Sequence, residues 1–275
     1  MKEIPMYKHC THVALWLILA LTAAPASAQT GAQVINVPLS RPGEPISLEI
    51  SIISAYIEVI GEAREDAQFE VSVREGSRKI ITPSGTKNLD VGAYSVDIEE
   101  RDNRISLDTD WRANSVKVVA RIPTRADLTL ETVNNGEIKV ENITGSLNLV
   151  NTNGPITATG ISGAVIAESV NDDIRVSFDR LEGSGVMSMH SVNGDLILGL
   201  PSGAGAELHI DSAEGEIVSD FEVDVVPTEP VVTRETDRGG VEVKVESVIV
   251  AKVGGGGPVF KMKTLNGDIA IRKSN

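Results

Sequence analysis

The amino-acid sequence predicts an all-β protein: a β-solenoid, or parallel β-helix-like stack, with about 18–22 residues and two short strands in each coil. Three observations lead there. A phrase of the form Asn-Gly-Asp/Glu-Ile recurs at Asn135-Gly136-Glu137-Ile138, Asn153-Gly154-Pro155-Ile156, Asn171-Asp172-Asp173-Ile174, Asn193-Gly194-Asp195-Leu196, Glu214-Gly215-Glu216-Ile217 and Asn266-Gly267-Asp268-Ile269. Counted from the second residue of each phrase, the steps are 18, 18, 22 and 21 residues, with one long gap before the last copy. A period of this size belongs to repeat architectures, where each unit buries its apolar face only by stacking on its neighbours. The flanking residues alternate apolar and polar with period two, which is the strand signal. After Ala28 no helix longer than a turn or two is suggested.

With the second residue of each phrase set to zero, the columns define the two strands. Position +2 holds Ile138, Ile156, Ile174, Leu196, Ile217 and Ile269, and position +4 holds Val140, Ala158, Val176, Leu198, Ser219 and Ile271. On the other side, −7 holds Leu147, Val165, Met187, Leu208 and Phe260, and −5 holds Leu149, Ala167, Met189, Ile210 and Met262. Position −3 shares their parity and so points inward, yet it holds Asn151, Ser169, Ser191, Ser212 and Thr264, with Thr132 matching if Asn134-Asn135 counts as a one-residue insertion. A buried hydroxyl must find a partner. Equivalent residues about 4.8 Å apart are expected to bond up and down that column. The Asn at −1 beside Gly is expected to supply the positive φ of a sharp corner. Asn-Gly between alternating strands is equally a type I′ hairpin signal, so an antiparallel β-sandwich meander is the alternative. A meander, however, gives no reason for one column to stay polar while its neighbours stay aliphatic.

Along the chain, residues 1–28 read as a signal peptide. Lys2 and Lys8 precede an apolar run from Val13 to Ala24, and Ala26-Ser27-Ala28 is a small-x-small cleavage pattern. The run is too short to span a bilayer, and an uncleaved anchor is the alternative. Residues 29–275 read as a single β-repeat domain. Within it, 46–123 are degenerate N-terminal coils with a polar excursion over Glu75 to Asn103, and 124–221 are the regular repeats. A second excursion at 222–257 carries a pair of Val-rich strands around Asp237-Arg238-Gly239-Gly240, and 258–275 form a C-terminal coil. The first coil has Ser54-Ala55 in place of Asn-Gly.

Charge narrows the partners. The formal net charge is −14; removing Lys2, Lys8 and Glu3 with the leader leaves 23 basic and 38 acidic side chains, or −15. Such a protein is repelled by phosphate backbones and anionic headgroups, so no nucleic-acid partner is expected. The sole cysteine, Cys10, lies in the leader, which leaves the mature chain without disulfides or thiol chemistry.

Val119-Ala120-Arg121-Ile122-Pro123, Leu128-Thr129-Leu130-Glu131-Thr132 and the closing Lys263-Thr264-Leu265-Asn266-Gly267-Asp268-Ile269-Ala270-Ile271 resemble the bacterial adhesin-like domains of β-solenoid type, a family whose biochemical role is largely unassigned. The resemblance covers roughly Ile46 to Arg272. It implies a β-solenoid fold and an exported location, periplasmic or at the cell surface, and no activity.

Candidate sites are few. The acidic residues at +1 (Glu137, Asp173, Asp195, Glu216, Asp268) stack on one edge, where they could hold calcium or form a solvated rim. The doubled Gly-x-Gly-x-Asp ligand set is absent, which favours the rim. His190 at −4, His209 at −6 and Asp211 at −4 face outward, with His190 expected one coil from Asp211. The Lys and Arg at outward positions, such as Lys139 and Arg175, look scattered. There is no Gly-x-Ser-x-Gly elbow and no paired histidine and serine. Seven aromatic residues remain for glycan stacking (Tyr56, Phe69, Tyr94, Trp111, Phe178, Phe221, Phe260), and Phe260 is assigned to the core. The expectation is therefore an exported, non-enzymatic envelope or surface module, without cofactor, catalytic or metal residues. It would bind a surface protein or glycan, or self-associate through an unpaired edge. A carbohydrate-active enzyme on a β-helix and an envelope-sensing signalling module are the alternatives.

Overall fold

The computed structural model describes residues 32–73, 96–109, 116–134, 136–181, 185–228, 231–237, 240–246 and 248–274. The signal peptide expected at residues 1–28, Asn135 and much of the first polar excursion lie outside them. In chain order the strands are β1 (Gln33–Pro38), β2 (Ile46–Ile52), β3 (Ala55–Glu62), β4 (Asp66–Val73), β5 (Val96–Arg101), β6 (Arg104–Thr109), β7 (Val116–Pro123) and β8 (Ala126–Asn134). The regular block follows with β9 (Ile138–Glu141), β10 (Leu147–Asn153), β11 (Ile156–Ser162), β12 (Val165–Ser169), β13 (Ile174–Arg180), β14 (Met187–His190), β15 (Leu196–Pro201), β16 (Ala206–Glu214) and β17 (Ile217–Ser219). Then come β18 (Val223–Val226), the hairpin β19 (Val231–Asp237) and β20 (Gly240–Glu246), β21 (Ile249–Val253), β22 (Val259–Asn266) and β23 (Ile269–Ser274). Among the described residues there is no helix.

The chain alternates between two sheets. Sheet A runs β1-β4-β7-β3-β9-β11-β13-β15-β23-β17, and sheet B runs β18-β21-β16-β22-β14-β12-β10-β8-β2-β6-β5. Through the repeat block every ladder is parallel and in the register of the sequence columns: Leu147 pairs with Val165, Leu149 with Ala167, Ile156 with Ile174 and Ile174 with Leu196. Residues two apart in these strands enter one shared core, in which Leu149, Ala167, Ile156, Ile174 and Leu198 have no exposed surface. Phe260 is buried there too, its ring edge-on to Phe178 at 5.5 Å. Stacked parallel coils thus fill the middle of the molecule, while the ladders at both ends, β1-β4-β7, β5-β6 and β16-β21-β18, are antiparallel.

The coils do not stack in chain order. The first coil, β2/β3, lies between β6/β7 and β8/β9. The last, β22/β23, lies between β14/β15 and β16/β17. The expectation that the N-terminal coils of 46–123 begin the stack in chain order and that the C-terminal coil at 258–275 ends it is therefore corrected: β2/β3 and β22/β23 are both interior. The reason is legible in the columns. An interior coil presents its apolar columns to two neighbours: β2/β3 does so with buried Ile57 and Val59 although its corner is Ser54-Ala55, and β22/β23 does so with a full Asn-Gly corner, whereas the coil that ends the stack has Glu214 at the Asn position and Ser219 in the aliphatic +4 column. Within the first polar excursion, β5 forms a hairpin with β6 whose turn residues Asp102 and Asn103 both have positive φ, 53° and 62°. That is the type I′ geometry Asp and Asn tolerate.

The corners work differently from the sequence expectation. Neither the described Asn at −1 nor Gly136, Gly154, Gly194 and Gly267 has positive φ. These positions need glycine for space. A Cβ on Gly136 would meet the Ala55 carbonyl oxygen, one on Gly154 that of Gly136, one on Gly194 that of Asp172, and one on Gly267 that of Gly194, each well inside van der Waals contact. The −3 column likewise does not bond to itself. Asn151 Nδ2 donates to the Gly136 carbonyl at 3.0 Å, Ser191 Oγ to that of Asp172 at 3.1 Å and Thr264 Oγ1 to that of Gly194 at 3.0 Å. Asn151, Ser191 and Thr264 thus satisfy a corner carbonyl of the neighbouring coil, a group the tight corner would otherwise bury unpaired, whereas Ser169 Oγ and Ser212 Oγ in the same column are buried with no hydrogen-bond partner among the described residues. Thr132 faces the other way in role, its Oγ1 accepting from the Ala55 amide at 3.3 Å.

Two pairs of substitutions check this packing. Met189→Asp places an unpaired charge in the core and should cost several kcal/mol or more, of the order of the whole stability of a domain. His190→Asp, on the outer face, should cost under about 1 kcal/mol. Equal thermal destabilisation would overturn the inward and outward assignment. Gly154→Ala should lose about 1–3 kcal/mol by overpacking, while Gly203→Ala, where an added Cβ meets nothing within 4 Å, should leave the denaturation midpoint nearly unmoved.

Candidate interaction surfaces

The Asn-Gly edge carries two hydrogen-bonded ladders. Asn171 Nδ2 donates to Asn153 Oδ1 at 2.7 Å, Asn193 Nδ2 to Asn171 Oδ1 at 2.9 Å and Asn266 Nδ2 to Asn193 Oδ1 at 2.8 Å. Beside it, the acidic +1 residues serve the backbone: Asp173 Oδ1 accepts from the Asp195 amide at 2.9 Å, Asp195 Oδ1 from that of Asp268 at 2.8 Å and Asp268 Oδ1 from that of Glu216 at 2.8 Å. Each carboxylate closes an amide of the next coil. Neither the rim nor any other group of three acidic, imidazole or thiol side chains among the described residues is arranged to hold a metal ion.

An apolar stripe follows the same edge. Position −2 holds Ile53, Val133, Thr152, Val170, Val192 and Leu265 in stacking order, and Ile53 and Leu265 are at least half exposed, at 59% and 50%. Their adjacency is fixed by the backbone: the Asn134 amide donates to the Ile53 carbonyl at 2.7 Å, that of Asn193 to Val170 at 2.8 Å and that of Asn266 to Val192 at 2.8 Å.

The outer face of sheet B brings together residues that looked scattered. With β22 inserted, Lys263 stands between His190 and Asp211, so those two are two coils apart rather than one. Lys263 Nζ pairs with Asp211 at 2.6 Å, and His209 Nε2 lies 2.8 Å from Glu207 Oε1. The hydrogen bond from His209 holds Glu207 below the usual carboxylate range, against a small opposing effect of burial. A shallow groove on this face is lined by Glu168, Ser188, His190, His209, Asp211 and Lys261. A cation between His190 and Asp211 opposes any two-His-one-carboxylate metal site built from His190, His209 and Asp211. Elsewhere, Lys139 bridges Glu58 at 3.1 Å and Glu141 at 2.7 Å, and Arg175 pairs with Asp173 at 2.7 Å.

The C-terminal end of the stack is the most unusual surface. Sheet B continues past β16 with β21 and β18, while sheet A stops at β17. Register puts Ile249 opposite buried Ile210, Val223 opposite buried Val253, Val225 opposite buried Ala251 and Ile217 beside buried Ile269, so all four share the core's parity. Yet they are exposed: Ile217 39%, Val223 38%, Ile249 42% and Val225 64%. The sequence assigned Ile217 to the buried +2 column; here that column has run out of neighbours. Missed by sequence reasoning, the open end was hidden because chain order was read as stacking order.

No family model and no curated protein matches the chain. Three solved structures are similar to it, each at 11% identity and over 88% of this chain: a putative cell adhesion protein from Clostridium sporogenes (TM-score 0.46, all of that chain), a putative adhesin from Bacteroides fragilis (0.37, 97% of that chain) and one from Parabacteroides distasonis (0.31, 97% of that chain).

The crossing from β17 to β18 is tied down by Asp220, whose Oδ1 accepts from Arg272 Nη1 at 2.9 Å and whose Oδ2 accepts from the Lys273 amide at 3.3 Å. The Arg272 hydrogen bond leads in lowering the Asp220 carboxyl below its ordinary value. Its contribution to stability is then present above the unfolded-state value of about 3.9 and is lost as pH falls through the lower folded value. Thermal midpoints measured from pH 6 to pH 2 should fall less steeply in Asp220→Asn than in the wild type; parallel curves would show that this anchor is not formed.

Proposed function

We propose that the chain is an exported, non-enzymatic envelope or cell-surface module, adhesin-like in the sense that it binds a macromolecular partner. The observation that carries this reading is the open C-terminal end, where side chains of core parity meet solvent. An apolar surface of this kind on an otherwise closed stack is the mark of a protein interaction site. The corner stripe from Ile53 to Leu265 adds a second, linear apolar feature. Export is supported by the leader at residues 1–28, and the acidity of the mature chain disfavours nucleic acid and anionic lipid as partners.

The groove beside His190 supports a second reading, a carbohydrate-active enzyme, because carboxylates and cations share one face there. Two of its features weigh against that role. Asp211 is engaged by Lys263, and neighbouring Glu207 is held ionised, whereas a glycosidase acid must be held protonated. Purified mature protein, Gln29 to Asn275, incubated with common bacterial and plant polysaccharides should release no oligosaccharides. Release that disappears in Glu168→Gln or Asp211→Asn would replace the binding module with the enzyme.

A further inference from the structure

We propose that the open end accepts one extended strand of another polypeptide, aliphatic at alternate positions with Lys or Arg between them, added to the free edge of β17. This names the class of partner for the binding module above and rests on that reading.

The backbone supplies the first half of the argument. Ile269 N donates to the Glu216 carbonyl and Asp220 N to that of Ile271, both at 2.9 Å, so the even-numbered residues of this strand bond to β23. In a parallel ladder the alternate residues face the other way. The amides and carbonyls of Ile217 and Ser219 therefore form an edge that no strand among the described residues covers, and unpaired edges are templates for strand addition. The side chains supply the second half. A strand laid beside β17 continues sheet A and stands opposite β21, where sheet B has no facing layer. Its inward side chains complete the missing layer over Ile249 and Val225, so they must be aliphatic and recur at every second residue.

Charge decides between another protein and a second copy. Glu214, Glu216, Glu222 and Asp224 are exposed around this end and form no ion pair among the described residues. Of the nearby cations, Arg272 pairs with Asp220, Lys252 with Glu207 at 3.7 Å, and Lys273 Nζ lies over the Phe221 ring, 5.3 Å from its centre, so the carboxylates outnumber them. Two copies meeting at this end would oppose these carboxylates, whereas a strand with Lys or Arg at its outward positions would meet them with opposite charge. Self-association through an unpaired edge, which the sequence suggests without placing it at β17, is thus disfavoured here.

The probe is a fluorescein-labelled, end-capped peptide of alternating Lys and Val, titrated with mature protein and followed by anisotropy. Saturable binding is expected, weakened at least about ten-fold by Ile217→Pro, which removes the outward amide of an edge strand without touching the β23 ladder. It should fall by a similar factor in Val225→Asp, on replacing the peptide Lys by Glu, and on replacing its Val by Ser. Thermal midpoints of the variants report whether they fold; should Ile217→Pro not fold, Val225→Asp and the two control peptides decide alone. No saturable binding, or binding indifferent to Val225→Asp or to the exchange of Lys for Glu, overturns the proposal. So does a dimer in light scattering that Val225→Asp dissociates, since that assigns the end to a second copy. With no oligosaccharide release, these failures leave the binding-module reading standing; release overturns that reading whatever the peptide does.

Discussion

Close stacking of coil on coil is the interaction on which the rest of this structure depends. Adjacent strands lie about 4.8 Å apart, and at the corners the chain has no ladder geometry to hold that spacing. At Gly136, Gly154, Gly194 and Gly267 the carbonyl of the neighbouring corner lies where a Cβ would stand, and the carbonyls of Gly136, Asp172 and Gly194 take a hydrogen bond from a small side chain at −3. Asn at −1 and Asp at +1 extend the same principle outward, joining amides and carboxylates to the coil alongside. A corner phrase that looks like turn chemistry is in fact stacking chemistry.

A stack built this way must be stopped at both ends. At the N-terminal end the chain folds back, with β4 and β1 antiparallel to β7 in one sheet and β5 antiparallel to β6 in the other. At the other end only sheet B is extended, by β21 and β18, and the inner faces of those strands meet water where a facing layer would stand. The asymmetry between the two ends leaves Ile217, Val223, Val225 and Ile249 exposed at the second. The regular faces between them carry ion pairs and hydrogen-bonded ladders that account for their polar residues.

The candidate site was much less legible than the fold. The aliphatic columns, their register and the small polar −3 column could all be read from the sequence because each is repeated many times and each copy testifies for the others. The open end is a single event. Ile217 belongs to a column that is buried in five other coils, and nothing in its own neighbours in sequence marks it as different. The only signal was degeneracy: Glu214 and Ser219 depart from the repeat, and departures of that kind belong to terminal coils. The basic residues of the outer face were hidden for the same reason, since Lys261 and Lys263 come between His190 and His209 only through the insertion of β22.

By itself the sequence determined the all-β character, the length of a coil, which side chains face inward and which residues make the corners. These follow from local periodicity and from the short-range geometry of neighbouring coils, both of which any one repeat carries. The tertiary structure alone decided the order of the coils, with the first and last drawn inside, and hence which edges remain free. That choice is made by long-range pairing: a fully apolar coil gains most with a neighbour on each side, and its place in the chain does not enter that free energy except through the cost of closing a loop, which grows only slowly with loop length.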